Sequence, residues 1–258
     1  MKKTLVTAVA ATLLAALTAC GGGDSASTTL RVGTLSDSKP TAYQLNGKYT
    51  GFDNELLRAI AAKENLTVDF ASTDFSALLG QVANGTYDIG SAAIAQTDAR
   101  KKTVDFTNPH NYESLGIETI EGSSIKDENS LSGKRIGVVQ GTVSDNWLAS
   151  NAPGAQAVRF PNDAAAVSAL KTSAIDGAVF DQSSAEQYAS ENAAAKFKVV
   201  KAISTTIPQG FAVKKGNTDL QNKLNDGLKK VIADGTWVKL HDQFTPTAPV
   251  PAEFKPAG

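Results

Sequence analysis

The sequence predicts an α/β protein with two similar lobes, each a mostly parallel sheet flanked by helices. Two observations carry this prediction: strand and helix periodicities alternate along the chain, and the same alternation occurs twice. The 258 residues, of which 41% are hydrophobic and 20% charged, are enough for one large folded domain or two modest ones.

The first β-α-β-α-β run occupies residues 30–93. Alternating residues at Leu30–Leu35 predict a strand, and Leu56, Leu57 and Ile60 then recur at helical spacing behind Asp53, the predicted N-cap. The remaining predicted elements of this run are a strand at 67–70, a helix at 75–83 closed by Asn84-Gly85, and a strand at 89–93.

The second run repeats this order. It predicts strands at 135–139, 158–160 and 177–180, with helices at 145–150 and 163–170 between them. Fourteen positions separate Asp74 from Asp88 and Asn162 from Asp176, and each span runs from a capping residue through an apolar helix to an aspartate before a strand. Two lobes of similar construction follow from this repeat.

Two extended apolar segments, 115–120 and 203–213, bracket the second run. A helix predicted at 218–233, capped by Thr218, and a helical stretch at 237–241 come after it. Because the first lobe has fewer elements, we expect the chain to cross out near 112–119 and return near 203–207, so that the two crossings form a hinge. This assigns residues 30–111 and 208–258 to lobe 1, with the proline-rich tail extended along its surface, and residues 112–207 to lobe 2.

Residues 1–19 predict an export signal, because Lys2 and Lys3 precede a short apolar stretch, Leu5–Leu17. That stretch is too short and too rich in alanine and threonine for a permanent membrane span. Its end, Leu17-Thr18-Ala19-Cys20-Gly21, resembles the lipobox of bacterial lipoproteins, in which the cysteine is acylated. Cys20 is the only cysteine, so no internal disulfide is expected; the alternative is a plain cleaved signal with an incidental cysteine.

Residues 20–29 hold nothing apolar to bury and predict a flexible tether behind the lipid on Cys20. We therefore expect an exported protein anchored to the outer face of the bacterial cytoplasmic membrane, at the cell surface or in the periplasm. The formal charge of −1 and the absence of basic runs interleaved with aromatic residues argue against nucleic acid as a partner. We expect a monomer without a metal or cofactor.

Ligands of open α/β sheets bind beyond the carboxyl ends of the strands, at helix N-termini. Arg100 lies there, directly after the predicted cap Thr97-Asp98, at the helix end whose dipole disfavours cations. We expect its guanidinium to reach into a cleft and bind a carboxylate, with the N–H groups of Thr142 and Val143 facing the same anion from the other lobe. The alternative is that residues 100–102 form a solvated basic face.

The sequence resembles the family 3 extracellular solute-binding proteins, the polar amino acid receptors of ABC importers, over about residues 30–244. The stretches that carry the resemblance are Leu30-Arg31-Val32-Gly33-Thr34, Gly51-Phe52-Asp53, Thr73-Asp74-Phe75, Thr97-Asp98-Ala99-Arg100, Gly137-Val138-Val139-Gln140-Gly141-Thr142 and Asp234-Gly235-Thr236-Trp237. The resemblance implies a two-lobed periplasmic-binding-protein-like fold of type II, with two crossover hinge strands.

The same resemblance implies roles for individual residues. Arg100 corresponds to the carboxylate clamp and Asp181 to the ammonium partner, while Phe75 and Tyr43 correspond to aromatic residues beside the ligand; the alternative for Phe75 is a core position. Where many members carry hydroxyl groups, this chain has Ala92, Ala93 and Ala95, and Val143 replaces a frequent threonine. The ammonium site therefore depends on Asp181 and on backbone carbonyls around Ala93 and Ala95, so a small carboxylate is a firmer expectation than an amino acid.

The implied function is that of the extracytoplasmic substrate-binding component of an ABC importer, which captures a small amino acid-like ligand by hinge closure and delivers it to a membrane permease. Two alternatives remain open: an enzyme of the same fold, similar to cyclohexadienyl dehydratase, and a ligand sensor for a signalling partner. The chain holds two histidines and no G-x-S-x-G, P-loop or H-E-x-x-H motif, so we expect no enzyme.

Overall fold

The computed structural model describes residues 29–256, except the side chains of Glu113, Ser204 and Thr206. The strands of this part of the chain are β1 (Thr29–Thr34), β2 (Asp37–Ser38), β3 (Ala42–Leu45), β4 (Lys48–Thr50), β5 (Thr67–Ser72), β6 (Ile89–Ser91), β7 (Val104–Phe106), β8 (Asn111–Ile120), β9 (Arg135–Val139), β10 (Gln156–Phe160), β11 (Gly177–Asp181), β12 (Phe197–Gln209) and β13 (Ala212–Lys214). The helices are α1 (Phe52–Lys63), α2 (Phe75–Ala83), α3 (Asp98–Lys101), α4 (Val143–Asn151), α5 (Asp163–Lys171), α6 (Gln182–Glu191), α7 (Thr218–Ala233) and α8 (Thr236–Phe244).

Two five-stranded sheets confirm the predicted α/β architecture. The sheet of the first lobe has the order β5-β1-β6-β13-β7, with β1 parallel to β5 and β6, and β13 antiparallel to its neighbours. The sheet of the second lobe has the order β10-β9-β11-β8-β12, with β9 parallel to β10 and β11. Because each parallel strand is followed by a helix, the helix N-termini collect at the carboxyl edge of each sheet.

The chain passes between the lobes on β8 and β12, which pair antiparallel along their length with two register shifts. At the end of this ribbon the His110 N–H donates to the Gln209 carbonyl at 3.0 Å, and the Gln96 N–H donates to the Pro208 carbonyl at 2.8 Å. The crossing segments are thus hydrogen-bonded to each other and to the first lobe. Strand β8 begins before the predicted segment 115–120, and its first residues pair with β12 alone. Strand β12 begins before the predicted segment 203–213 and ends at Gln209, and β13 follows as a separate strand of the first sheet.

The last part of the chain closes the core of the first lobe. Trp237 of α8 is fully buried, and Phe254 stacks on it with ring centroids 4.6 Å apart. Phe254 lies in a single 3-10 turn, Ala252–Phe254, within an otherwise irregular tail. The tail therefore contributes an aromatic side chain to the core as well as following the surface.

The repeat seen in the sequence recurs as an identical ion pair in each lobe. Asp88 accepts hydrogen bonds from the Arg31 N–H and guanidinium, at 2.8 to 3.1 Å. Asp176 accepts the same set from Arg135, at 2.8 to 3.2 Å. The guanidinium holds the pKa of each aspartate below its usual range. Each pair ties a first strand to the start of a third strand in its sheet.

Several predicted boundaries match the structure at both ends, including α2, β9 and α7. Two predicted caps are wrong. Gly51, at φ 108°, is the N-cap of α1, and Asp53 lies inside the first turn with its carboxylate turned into the core. Asn217 caps α7 by accepting the Leu220 N–H at 3.3 Å, so Thr218 is the first helical residue.

The small sheet β2-β3-β4 and helix α6 were not among the predicted elements. The turn between β3 and β4 is Asn46-Gly47, with φ of 50° and 79°, which is the geometry of a two-residue hairpin loop. That dipeptide was the available signal for the hairpin. Helix α6 is polar over most of its length, so apolar periodicity could not reveal it.

Glu118 of β8 is a fully buried acid in the second lobe. The structure gives neither of its carboxyl oxygens a hydrogen-bond partner. Burial, together with the nearby charge of Asp163, raises its pKa to about 8. Glu118 is therefore protonated at neutral pH.

Candidate functional site

A cavity lies between the carboxyl edges of the two sheets. The first lobe contributes Leu35, Ser38, Phe75, Ala92, Ala93 and Arg100 to its wall. The second lobe contributes Val139, Thr142, Val143, Ser144, Asp163, Val179, Phe180, Asp181 and Ser184. The wall is thus shared between the lobes, because the carboxyl edges of both sheets face the cavity.

Arg100 enters this cavity from α3, a helix of a single turn. Thr97 caps the helix by accepting the Arg100 N–H at 3.3 Å, as predicted. The helix is so short that Arg100 also lies in its last turn, which removes the predicted conflict with the helix dipole. The guanidinium is also held by the backbone, because its Nη1 donates to the Ala95 carbonyl at 2.9 Å.

The same guanidinium reaches the second lobe. Its Nη2 donates to the Gly141 carbonyl at 3.1 Å, and its Cζ lies 5.0 Å from the centre of the Phe75 ring. A cation above an aromatic face is held by the ring quadrupole, so Phe75 restricts the guanidinium from one side. Arg100 thus bridges the cleft and presents an oriented cation to it.

The N-terminus of α4 faces the cavity from the second lobe. Thr142 is its N-cap, and the Thr142 side chain accepts the Asp145 N–H at 3.2 Å. The Thr142 N–H donates to the Val139 carbonyl at 3.3 Å, so it does not face an anion as predicted. Val143 and Ser144, the first residues of α4, line the cavity, and the first N–H groups of a helix have no partner within that helix. These groups and the helix dipole favour an anion at this point of the wall.

Two aspartates lie in the wall contributed by the second lobe. Asp181 ends β11 and precedes α6. Asp163 begins α5, and the Tyr188 hydroxyl donates to its Oδ2 at 2.7 Å. Burial, together with the charges of Asp37 and Asp181, raises the pKa of Asp163 to about 7. The cavity therefore combines one guanidinium with two carboxyl groups.

Six of the predicted site residues line the cavity: Phe75, Ala93, Arg100, Thr142, Val143 and Asp181. Two do not. Tyr43 lies on β3, paired with Asp37 and Thr50, and Ser38 contributes to the wall from the neighbouring strand. Ala95 is buried, and its carbonyl holds Arg100.

Asp163 and Ser184 are wall residues outside the predicted site. Asp163 follows a predicted strand and opens a predicted helix, so the rule that revealed Asp181 could have revealed it too. Ser184 belongs to the unpredicted helix α6. The sequence carried no comparable signal for it.

Contacts outside the cavity also join the lobes. Asp37 Oδ2 accepts the Ala164 N–H of α5 at 2.9 Å, and the Tyr188 hydroxyl lies 3.1 Å from the Asp37 carbonyl. Lys39 and Glu191 form an ion pair with a 2.8 Å separation between Nζ and Oε1. The strand β2 therefore lies against α5 and α6, and the structure is a closed form of the cleft.

Within residues 29–256, no group of three or more His, Cys, Asp or Glu side chains is arranged to hold a metal ion. In the same range, no helix has both the length and the apolar character needed to cross a bilayer. Cys20, the predicted site of lipidation, and residues 1–19 lie outside the described residues.

The profile of the bacterial extracellular solute-binding proteins, family 3, matches residues 30–247. The chain belongs to this family. The resemblance that the sequence motifs indicate is thereby confirmed, and the cavity of this family 3 protein occupies the cleft between its two lobes.

Two curated relatives illustrate the match. A probable amino-acid-binding protein of Bacillus subtilis, YxeM, is 40% identical over 158 residues, which span 59% of this chain and 60% of that protein. A probable histidine-binding protein of Campylobacter jejuni is 32% identical over 221 residues, 84% of each chain. Both relatives are binding proteins by name.

Solved structures agree with the fold. An ancestral arginine-binding protein bound to arginine has a TM-score of 0.81 and 34% identity, and the match covers 84% of this family 3 chain and 98% of that one. An ancestral amino acid-binding protein, described as a precursor of cyclohexadienyl dehydratase, has a TM-score of 0.78 and 32% identity, over 84% and 95% of the two chains.

Proposed function

We propose that this protein is the extracytoplasmic substrate-binding component of an ABC importer, and that it captures an amino acid in the cavity between its lobes. One observation carries the proposal: Arg100 and Asp181 line the same cavity, from opposite lobes. A guanidinium and a carboxylate in the wall of one cavity suit the two charged ends of a zwitterion. The amino-acid-binding relatives support the same ligand class.

The ligand carboxylate binds Arg100 and the N-terminus of α4. The guanidinium offers paired N–H donors, and the N–H groups of Val143 and Ser144 add donors from the second lobe. Arg100 is already oriented by Ala95 and by the Phe75 ring, so little side-chain entropy is lost when the anion binds.

The ligand ammonium group binds Asp181. Ala92 and Ala93 face it from the first lobe with methyl groups where hydroxyl acceptors are frequent, so backbone carbonyls of this segment supply the other acceptors. The carboxylate of Asp181 attracts a cationic group, and the attraction is stronger in a closed cavity than in open water.

Closure of the lobes follows ligand binding because the two halves of the site belong to different lobes. Only a ligand that binds the closed form more tightly than the open form can shift this equilibrium. A closed, ligand-bound protein then docks on a membrane permease. Export follows from the family, and a lipid on Cys20 would keep the monomeric protein beside that permease.

We assign the cavity to binding without chemistry. The described residues of its wall include no histidine or cysteine, and the relatives that carry a function in their names are binding proteins. The sensor alternative shares the binding step with the importer component. The genes beside this one distinguish them, because an importer component accompanies a permease gene.

Calorimetry tests the proposal. The protein is titrated with each of the twenty standard amino acids, with L-cystine and with simple monocarboxylates. Saturable binding of at least one amino acid at micromolar concentrations, with no ligand consumed after prolonged incubation, is the expected result. Binding of monocarboxylates alone would contradict an amino acid ligand. Slow conversion of the ligand would show that the protein is an enzyme and not a receptor.

Asp37→Ala should weaken amino acid binding about fivefold, because the variant loses an interlobe cap on α5 that exists only when the cleft is closed. Asp37→Asn keeps an acceptor oxygen and should bind nearly as tightly as the unaltered protein. Calorimetry on both variants measures the difference. Equal affinities for the alanine and asparagine variants would show that this contact makes no difference to closure.

A further inference from the structure

Asp53 and His110 are buried behind the segment Ala92–Ala95, outside the cavity. Asp53 is 1% exposed and His110 is fully buried. Asp53 Oδ2 accepts the Ala93 N–H at 2.6 Å, and Asp53 Oδ1 lies 3.2 Å from His110 Nε2. Each carboxyl oxygen therefore has its own partner, one in the ligand segment and one beside the hinge.

The partner in the ligand segment has an unusual backbone. Ala93 has a φ of 47°, in the left-handed region that disfavours residues with a Cβ atom. Ala92 and Ala93 line the cavity, so this turn sets the position of the wall where an ammonium group would lie. The hydrogen bond from the Ala93 N–H to Asp53 holds the turn in this conformation.

His110 is fixed where the chain leaves the first lobe. It directly precedes β8, its carbonyl accepts the Trp237 Nε1–H at 2.9 Å, and its ring stacks on Phe211 with centroids 4.2 Å apart. Phe211 follows β12, so both crossing segments hold His110 in place. The fixed His110 ring therefore holds Asp53 in one orientation, with Nε2–H as the donor to the carboxylate. Its Nδ1 has no hydrogen-bond partner in the described part of the chain.

We propose that Asp53 and His110 form a positioning pair for the ligand segment: His110 orients Asp53, and Asp53 holds Ala93 in its left-handed turn so that the cavity wall is formed before ligand arrives. Neither residue touches the ligand. The effect on affinity passes through the Ala93 N–H. The predicted effect on ligand affinity rests on the proposed function, whereas the predicted effect on the backbone at residue 93 rests on the structure alone.

Affinity is the first test, measured by calorimetry with the standard amino acid that the unaltered protein binds most tightly. Asp53→Ala should weaken binding at least tenfold. Asp53→Asn should stay within threefold, because its amide oxygen can accept the Ala93 N–H and its NH₂ can donate to His110 Nε2 once the ring proton moves to Nδ1. Adding Ala93→Gly to Asp53→Ala should recover at least threefold, because glycine adopts a positive φ without strain.

Amide hydrogen exchange is the second test and needs no ligand. In Asp53→Ala the amide of residue 93 should exchange at least tenfold faster, while the amide of Val32 in the same lobe keeps its rate. Asp53→Asn should keep both rates. A general loss of stability would accelerate both amides together, and that result would overturn the proposal.

Asp88→Ala is the matched control. Asp88 also accepts a backbone N–H, from Arg31 at 2.8 Å, in the same lobe, and it does not line the cavity. This control should leave affinity and the exchange of residue 93 unchanged. Unchanged affinity in Asp53→Ala would refute the positioning role, whereas failure of the unaltered protein to bind any amino acid would refute the proposed function and leave the exchange test valid.

Discussion

Arg100→Ala should weaken amino acid binding at least tenfold, which corresponds to about 1.4 kcal/mol. The variant removes the cation that faces the ligand carboxylate and also the bond from Nη2 to the Gly141 carbonyl across the cleft. Charge-assisted hydrogen bonds in a closed cavity contribute about 1.5 to 3 kcal/mol, so a larger loss is consistent with the same role. Calorimetry measures the change, and circular dichroism checks that the variant folds.

Two further variants separate charge from geometry. Arg100→Lys keeps the cation but cannot bond a carboxylate with paired N–H groups. Its affinity should therefore lie between that of the unaltered protein and that of Arg100→Ala. Lys101→Ala removes a neighbouring exposed cation that does not line the cavity, and it should bind normally. A loss for Lys101→Ala as large as that for Arg100→Ala would indicate a general basic surface instead of a clamp.

Glu118→Gln should stabilise the protein at alkaline pH and change little in acid. The pKa of Glu118 rises from 4.5 to about 8 on folding, so the unfolded chain loses this proton first as pH increases. Stability therefore falls as pH rises from about 4.5 to about 8, by about 1.4 kcal/mol for each unit, and the loss is complete above about pH 8. Below the lower value both states are protonated and no difference remains.

Thermal unfolding across this pH range measures the effect. The unaltered protein should lose several degrees of melting temperature relative to Glu118→Gln between about pH 5 and about pH 9. Asp163, with a pKa of about 7, adds a loss of the same sign that both proteins share. Glu121→Gln, which removes an exposed carboxylate beside the same strand, is the control and should follow the unaltered protein. Parallel curves for Glu118→Gln and the unaltered protein would contradict a neutral Glu118.

The fold could be predicted closely because local signals and tertiary structure agree over most elements. Helix α2 has an aspartate before it, apolar residues at helical spacing and Asn-Gly behind it, and all three signals are consistent with its observed bounds. Elements without an apolar stripe, such as α6, were missed because their formation depends on packing against β8 and β12.

The site could be predicted where a residue follows a strand on the carboxyl edge of a sheet. Arg100 and Asp181 satisfy that rule, and the structure places both in one cavity. Tyr43 could not be placed, because the register of β2 and β3 decides which side chain faces the cleft and residue types alone do not fix that register. Asp53 shows the same limit: as a sequence signal it resembles a helix cap, and only tertiary contact reveals its bond to Ala93.

The position of β13 has a consequence for the order in which the protein forms during synthesis. Strand β13 separates β6 from β7 in the first sheet, yet it is made after the whole second sheet, which extends from residue 111 to residue 209. The second sheet can therefore close on the growing chain while β7 still has no neighbour. A chain truncated after residue 210 therefore holds every strand of the second sheet but lacks the strand that joins β6 to β7 in the first.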